Sequence, residues 1–452
     1  MKKESGWLSL NKKEKKEVFS FNAEYISFLN TVKTEREAAE YIKDKLKANG
    51  FKDLNEVNKL TVGDKVFYLN KNKSVYAAII GSNDLNEGLN IIGSHIDSPR
   101  IDLKPNPLYE KDGQALFDTH YYGGIKKYQW TTIPLSLHGV IIKKDGTKIT
   151  LNIGEKDSDP IFTISDLLPH LAKKQEDKKL TDAIVGEKLD ALVGNIPEDN
   201  DHDAVSKNIL KILKDKYDIE EEDFYRSELE LVPAFKARSL GFDESMVAGY
   251  GQDDRSCSYA NLMSLLTITN PTNTCIALFA DKEEIGSVGN TGMMSKCFDN
   301  FIIKLLTKTG NDPYTMLDVL IKSKMLSADV DAALDPNYLE AFTENNSAYL
   351  SKGVTINKYT GARGKSGASD ANAEYVAYVC NIFDKNKILY QFSELGKVDL
   401  GGGGTIAYIL ANKGVDVLDC GLPILSMHSP YEVSSKLDIY MAYLAYQAFY
   451  KD

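Results

Sequence analysis

Cysteine is sparse and unpatterned in this chain of 452 residues. The five present, Cys257, Cys275, Cys297, Cys380 and Cys420, form no CxxC pair. That spacing excludes a cysteine-built zinc site, gives no disulfide framework and suits a reducing compartment. Long apolar runs are also missing. Segments such as VYAAII and LPILSM fall far short of the ~20 residues that a membrane span requires. The opening MKKESGWLSLNKKEKKEV has basic residues but no apolar stretch behind them. No export signal is expected there, and a cytoplasmic location is the default. Positive charge is in deficit: 54 Lys and Arg face 65 Asp and Glu, for a formal net charge of -11. That sign argues against nucleic acid or an anionic membrane as partner.

What remains is the composition of a globular protein, with 43% hydrophobic residues, enough for a large core. The length predicts two to three domains. Residues 17–50 read as helical, with REAAEYIKDKLKANG amphipathic and Gly50 as a stop. KSVYAAIIGS and GLNIIGSH read as strands. From about 105 to 235 the pattern alternates and turns more polar, and KDGT around Gly146 predicts a hairpin. A charged helical stretch, SKNILKILKDKYDIEEEDF, closes that region. Afterwards CIALFADKEE, KMLSADVDAA, KILYQFSEL and GVDVLDCGLPILSMH alternate with helical segments. The expected architecture is α/β: a mixed-sheet domain over 1–104 and 236–452 with helices on both faces, interrupted by a β-rich insertion over 105–235.

Sites in open α/β sheets form beyond the carboxyl ends of strands. LNIIGS ends in His95, with Asp97 two residues on; CIALFADK ends in Glu283-Glu284; KMLSA ends in Asp329; LPILSM ends in His428. GYGQDDRSCSYA sets Asp253 and Asp254 before an apolar helical run. Only six histidines occur in the chain, so two at strand ends carry weight. Imidazole and carboxylate without thiolate suit Zn, Co or Mn, and a bridging carboxylate suits two metals. Each feature also has a plain structural reading. Asp253-Asp254 suits a helix N-cap, DKEE a solvated turn, and Asp97 a turn before Pro99. The case rests on their convergence. GGGGTIAY lacks the Lys-Ser/Thr of a phosphate loop and reads as close backbone approach or a flexible turn. TGARGKSGASD offers Arg363 and Lys365 either as a carboxylate clamp or as a solvated loop. His120, His138, His170 and His202 read as structural or surface residues.

The segments GSHIDSPRIDLKPNP, DDRSCS, DKEEIGS, SADVDAALDPNY and LPILSMHSPYEV, in this order, resemble the aspartyl aminopeptidase and vacuolar aminopeptidase I family of dinuclear metalloaminopeptidases. The resemblance covers nearly the whole chain. It implies a metal-dependent aminopeptidase whose inserted β-rich domain serves dimerisation, in a homo-oligomer of dimers forming a tetrahedral dodecamer. It implies two divalent ions, zinc with cobalt or manganese as alternatives: His95 and Asp329 on one, Glu284 and His428 on the other, and Asp253 bridging. Glu283 would be the general base, and Asp97 would support His95. His170 would reach a neighbouring subunit's site. Asp254 stands where family members commonly have Asn and matches a non-ligand position. Arg363 and Lys365 do not align cleanly with the acid-recognising loop, so preference for an N-terminal Asp or Glu stays open. Two other readings are a dinuclear hydrolase of another amide, such as N-acyl amino acids, and a non-catalytic shell protein.

Overall fold

In the strand Thr274–Ala280 every side chain is buried, yet alternate residues enter different cores. Cys275, Ala277 and Phe279 join one apolar cluster, and Ile276, Leu278 and Ala280 join another. The strand Ser74–Ile79 divides the same way, with Val75, Ala77 and Ile79 opposed to Tyr76 and Ala78. This is the two-residue period of a strand covered on both faces. The computed structural model describes residues 4–452. One core packs the helices Lys12–Thr31, Glu35–Ala48, Gln252–Leu266, Ala373–Lys385 and Lys436–Lys451. The other packs Cys297–Thr309, Met316–Ile321 and Ala407–Ala411.

The sheet between them has nine strands. Its centre is a parallel run of Thr274–Ala280, Leu89–His95, Lys324–Ser327 and Asp416–Gly421. Antiparallel neighbours flank that run on each side, Ser74–Ile79 and Val354–Asn357, so the sheet is mixed. The expected helical run over 17–50 is two helices. Thr34 interrupts it by opening a capping box: its Oγ1 accepts from Glu37 N–H at 3.3 Å, and Glu37 Oε2 accepts from Thr34 N–H at 3.2 Å.

The chain separates into two compact units. One holds the residues up to Asp97, then Ala237–Met427 and Tyr431–Asp452; the other holds Ser98–Lys236 and His428–Pro430. The second unit carries a seven-stranded sheet, antiparallel throughout. In its KDGT turn, Gly146 (φ 88) donates its N–H to the Lys143 carbonyl at 2.9 Å. The expected boundary at 104/105 would cut the strand Arg100–Lys111, whose ladder belongs to this sheet. The division therefore falls ahead of that strand.

LPILSMH departs from expectation. Pro423–Leu425 belongs to a separate five-stranded sheet with Arg238–Leu240, Met246–Gly249, Glu432–Ser435 and Asp331–Ala332. The chain leaves the main sheet at Gly421, where a Cβ would sit 1.7 Å from the Asp329 carbonyl. Among the described residues, no helix is long and apolar enough to cross a membrane.

Candidate metal centre

Three neighbouring parallel strands deliver the site. Ala280 pairs with His95, and Ser327 pairs with Gly93, so all three carboxyl ends lie at one edge. His95 is the last residue of its strand. Asp329 comes just after Ser327. Beyond Ala280 the chain turns through Lys282 (φ 64) into a single 3-10 turn, Glu283–Ile285, closed by Gly286 (φ 94). The two glutamates therefore sit on a tight turn rather than an extended strand. Asp253 and Asp254 open the helix Gln252–Leu266 with non-helical backbone, and the N-cap is Gly251. The N-cap reading of this pair fails: the side chains serve something else.

They converge on His95. Its Nε2 lies 3.2 Å from Asp253 Oδ1, 3.7 Å from Asp329 Oδ1 and 3.8 Å from Glu283 Oε2. Two sets of donor atoms fall within 4.8 Å of one another: His95, Glu283 and Asp329; and His95, Asp253 and Glu284. His95 Nδ1–H donates to the Asp97 carbonyl at 3.1 Å, which leaves Nε2 as the nitrogen turned to the carboxylates. The Asp97 carboxylate was expected to hold this imidazole, and Oδ1 does lie 3.4 Å from Nδ1. The same carboxylate also holds two backbone amides: Oδ1 accepts from Glu283 N–H at 3.1 Å and Oδ2 from Glu284 N–H at 3.2 Å. Asp97 is thus a strap across the backbone of both glutamates. Asp254 Oδ2 accepts from His95 N–H at 3.2 Å, a role that the sequence did not disclose.

The model of the Aminopeptidase I zinc metalloprotease (M18) family matches residues 28–450. The chain belongs to the M18 family. A probable M18 family aminopeptidase 1 of Clostridium acetobutylicum is 49% identical over 452 residues, covering 98% of this chain and 97% of its own. The crystal structure of an M18 aminopeptidase from Thermotoga maritima superposes with a TM-score of 0.96 at 44% identity, over 100% of this chain and 99% of that one. Aminopeptidase I from C. acetobutylicum gives 0.94 at 47% identity, over 100% of each chain. This M18 protein is a zinc metalloaminopeptidase, a hydrolase of peptide N-termini.

The donor set fits that metal. Burial pushes the Glu283 carboxyl up to about 8, and Asp329, Asp97 and Asp253 add to the rise while His95 opposes it. Burial raises Asp329 and Asp254 as well. Burial would lower His95, but Asp253, Asp329 and Asp97 hold it well above its usual value. Carboxylates crowded out of water favour a cation among them. The nearest side-chain cations in sequence point elsewhere: Lys282 to Asp281 and Thr291, Arg255 to the Lys33 and Tyr250 carbonyls. Nitrogen and oxygen donors without thiolate suit zinc.

Neither donor set includes the remaining candidates of the M18 chain. His428 groups with the second unit, where its Nδ1–H donates to the Gly124 carbonyl at 2.7 Å. His170 is exposed on the 3-10 turn Pro169–Leu171 of that unit. Arg363 and Lys365 line a cleft of about 400 Å³ with Tyr359, Lys397 and the glycines 401 and 402. The two glycine-rich stretches of the sequence thus meet in one place. Lys365 stacks over the Tyr359 ring at 3.8 Å and pairs with Asp370 at 3.2 Å. His138 is buried against Glu155, while His120 and His202 are exposed.

Proposed function

We propose that this M18 aminopeptidase removes N-terminal residues with a dinuclear centre built on the edge of the parallel sheet. The observation that supports this reading is the convergence of Asp253, Asp329 and Glu283 oxygens within 3.2–3.8 Å of one imidazole nitrogen. Asp253 would be shared between the ions, His95 and Asp329 would hold one, and Glu284 and His428 would hold the other. Two divalent ions, zinc with cobalt or manganese as alternatives, would polarise the scissile carbonyl and lower the pKa of the attacking water.

Glu283 takes the proton of that water and delivers it to the leaving amine. The Asp97 strap keeps Glu283 and Glu284 on one turn, with one carboxylate for the proton and one for the metal. Arg363 and Lys365 would meet an acidic first residue, and exposed His170 would serve a neighbouring subunit's site. The S. cerevisiae mApe1 structure, 19% identical with a TM-score of 0.77, is described as a dodecamer. A tetrahedral dodecamer of dimers is proposed for this chain, in the cytoplasm. Sedimentation should then give a mass near twelve times 50.3 kDa.

The deciding experiment replaces Glu283 with Gln. The variant should keep its zinc and lose ~10²–10⁴-fold in kcat on aminoacyl-anilides. Near wild-type turnover would remove Glu283 from the mechanism. Running N-acyl amino acids alongside distinguishes peptide N-termini from other amides. A first-residue panel with Arg363→Ala and Lys365→Ala tests the acidic preference.

A further inference from the structure

The turn that presents Asp253 has no cap of its own. The helix Gln252–Leu266 follows Gly251, a left-handed residue (φ 72) with no side chain to accept from the first N–H groups. Buried N–H groups at a helix start need acceptors. Asp253 departs from helical geometry, at φ -82 and ψ 108, and its N–H donates to Glu432 Oε2 at 3.1 Å. Glu432 is buried and opens the strand Glu432–Ser435, where it pairs with Gly249.

The tie runs both ways. Gln252 Nε2 donates to the Glu432 carbonyl at 2.7 Å and to the Val247 carbonyl at 3.2 Å. Gln252 Oε1 accepts from the Ser434 hydroxyl and from Tyr25 OH, the latter at 3.3 Å. The strand's side chain holds the turn's backbone, and the turn's side chain holds the strand's backbone. This is the logic of a capping box, made between elements about 180 residues apart.

We propose that Glu432 is a positioning residue for the hydrolysis. Through the Asp253 N–H it aims the Asp253 carboxylate, which lies 3.2 Å from His95 Nε2. The inference rests on Asp253 being a metal ligand. Glu432 follows His428 by four residues, so the segment carrying one expected ligand ends on the residue that seats another. Partners that orient a metal ligand are worth 10–100-fold in affinity or activity.

The test compares Glu432→Ala, Glu432→Gln and Asp253→Asn. Each is stripped of metal, titrated with zinc against a chromophoric chelator, melted by circular dichroism and assayed for kcat and KM. Glu432→Ala should fold, bind zinc ~10–100-fold more weakly and lose kcat with little change in KM. Glu432→Gln keeps an oxygen for the Asp253 N–H and should restore zinc affinity to within a few-fold of wild type. Unchanged zinc affinity in Glu432→Ala would overturn the proposal, as would Gln behaving like Ala. If Ala does not fold, the Gln result alone decides. Asp253→Asn separates the two layers. Wild-type zinc affinity there would sink the metal-ligand reading itself. Loss there without loss in Glu432→Ala would sink only the positioning role of Glu432.

Discussion

Replacing Asp97 with Asn tests how the paired glutamates are held. Asp97 is fully buried, and its two oxygens each take one backbone N–H, from Glu283 at 3.1 Å and Glu284 at 3.2 Å. Asn changes one acceptor into a donor. One N–H keeps its partner, and the other meets an NH2 group in a site closed to water. Losing a bond to a charged acceptor costs ~1.5–3 kcal/mol, and leaving the buried N–H unmet keeps the loss at the upper end of that range. The variant should therefore be less stable by about 2–3 kcal/mol. The Glu283–Ile285 turn would relax, carrying one carboxylate away from the water and the other from the metal. Activity and zinc affinity should fall ~10–100-fold, as for other groups that orient metal ligands. The assay is kcat/KM on an aminoacyl-anilide, with zinc titration and urea unfolding of the same preparation. If Asp97→Asn keeps wild-type zinc affinity and kcat/KM, the strap does not position the pair, and the argument from these two bonds is wrong.

Gly421→Ala should destabilise the fold by ~1–3 kcal/mol and weaken zinc binding, since its Cβ would meet the Asp329 carbonyl at 1.7 Å. Gly364→Ala, which meets nothing within 4 Å, should melt like wild type. Burial pushes Asp438 up to about 8, although it accepts from Ser351 and Gly353 N–H. Its folded pKa lies above the unfolded value of about 4, so between those values the native state holds a proton that the unfolded chain has released. That contribution falls as pH rises from about 4 to about 8. Urea midpoints of Asp438→Asn should decline less across pH 5–8 than those of wild type, and equal slopes would contradict it. Chelation should abolish hydrolysis and lower the melting temperature, and added zinc should restore both; activity that survives complete metal removal would refute the metal dependence.

Much of the candidate site was legible because its residues follow strand ends, and apolar runs that stop at a charged residue are visible in one dimension. His95, the Glu283-Glu284 pair and Asp329 read this way, the Asp253 motif stood out before an apolar helical run, and ordered motifs carried the family resemblance. His428 was assigned to the wrong sheet, since LPILSM is as apolar as a central strand and nothing local marks the exit at Gly421. Spacing and the family resemblance both paired Asp97 with the neighbouring imidazole, and its Oδ1 lies 3.4 Å from Nδ1. Its bonds to the backbone of Glu283 and Glu284 cross 186 and 187 residues, beyond any periodicity.

By itself the sequence determined the alternation of helices and strands, the β-rich interruption and the chemistry of the donor set. Those depend on local pattern and residue type. The tertiary structure decided how donors are aimed: Asp254 on the His95 N–H, Asp97 across two glutamates, Glu432 under Asp253. Each is a bond from a buried carboxylate to a distant backbone amide. Every residue but proline carries that amide, so no residue type announces which one will be chosen.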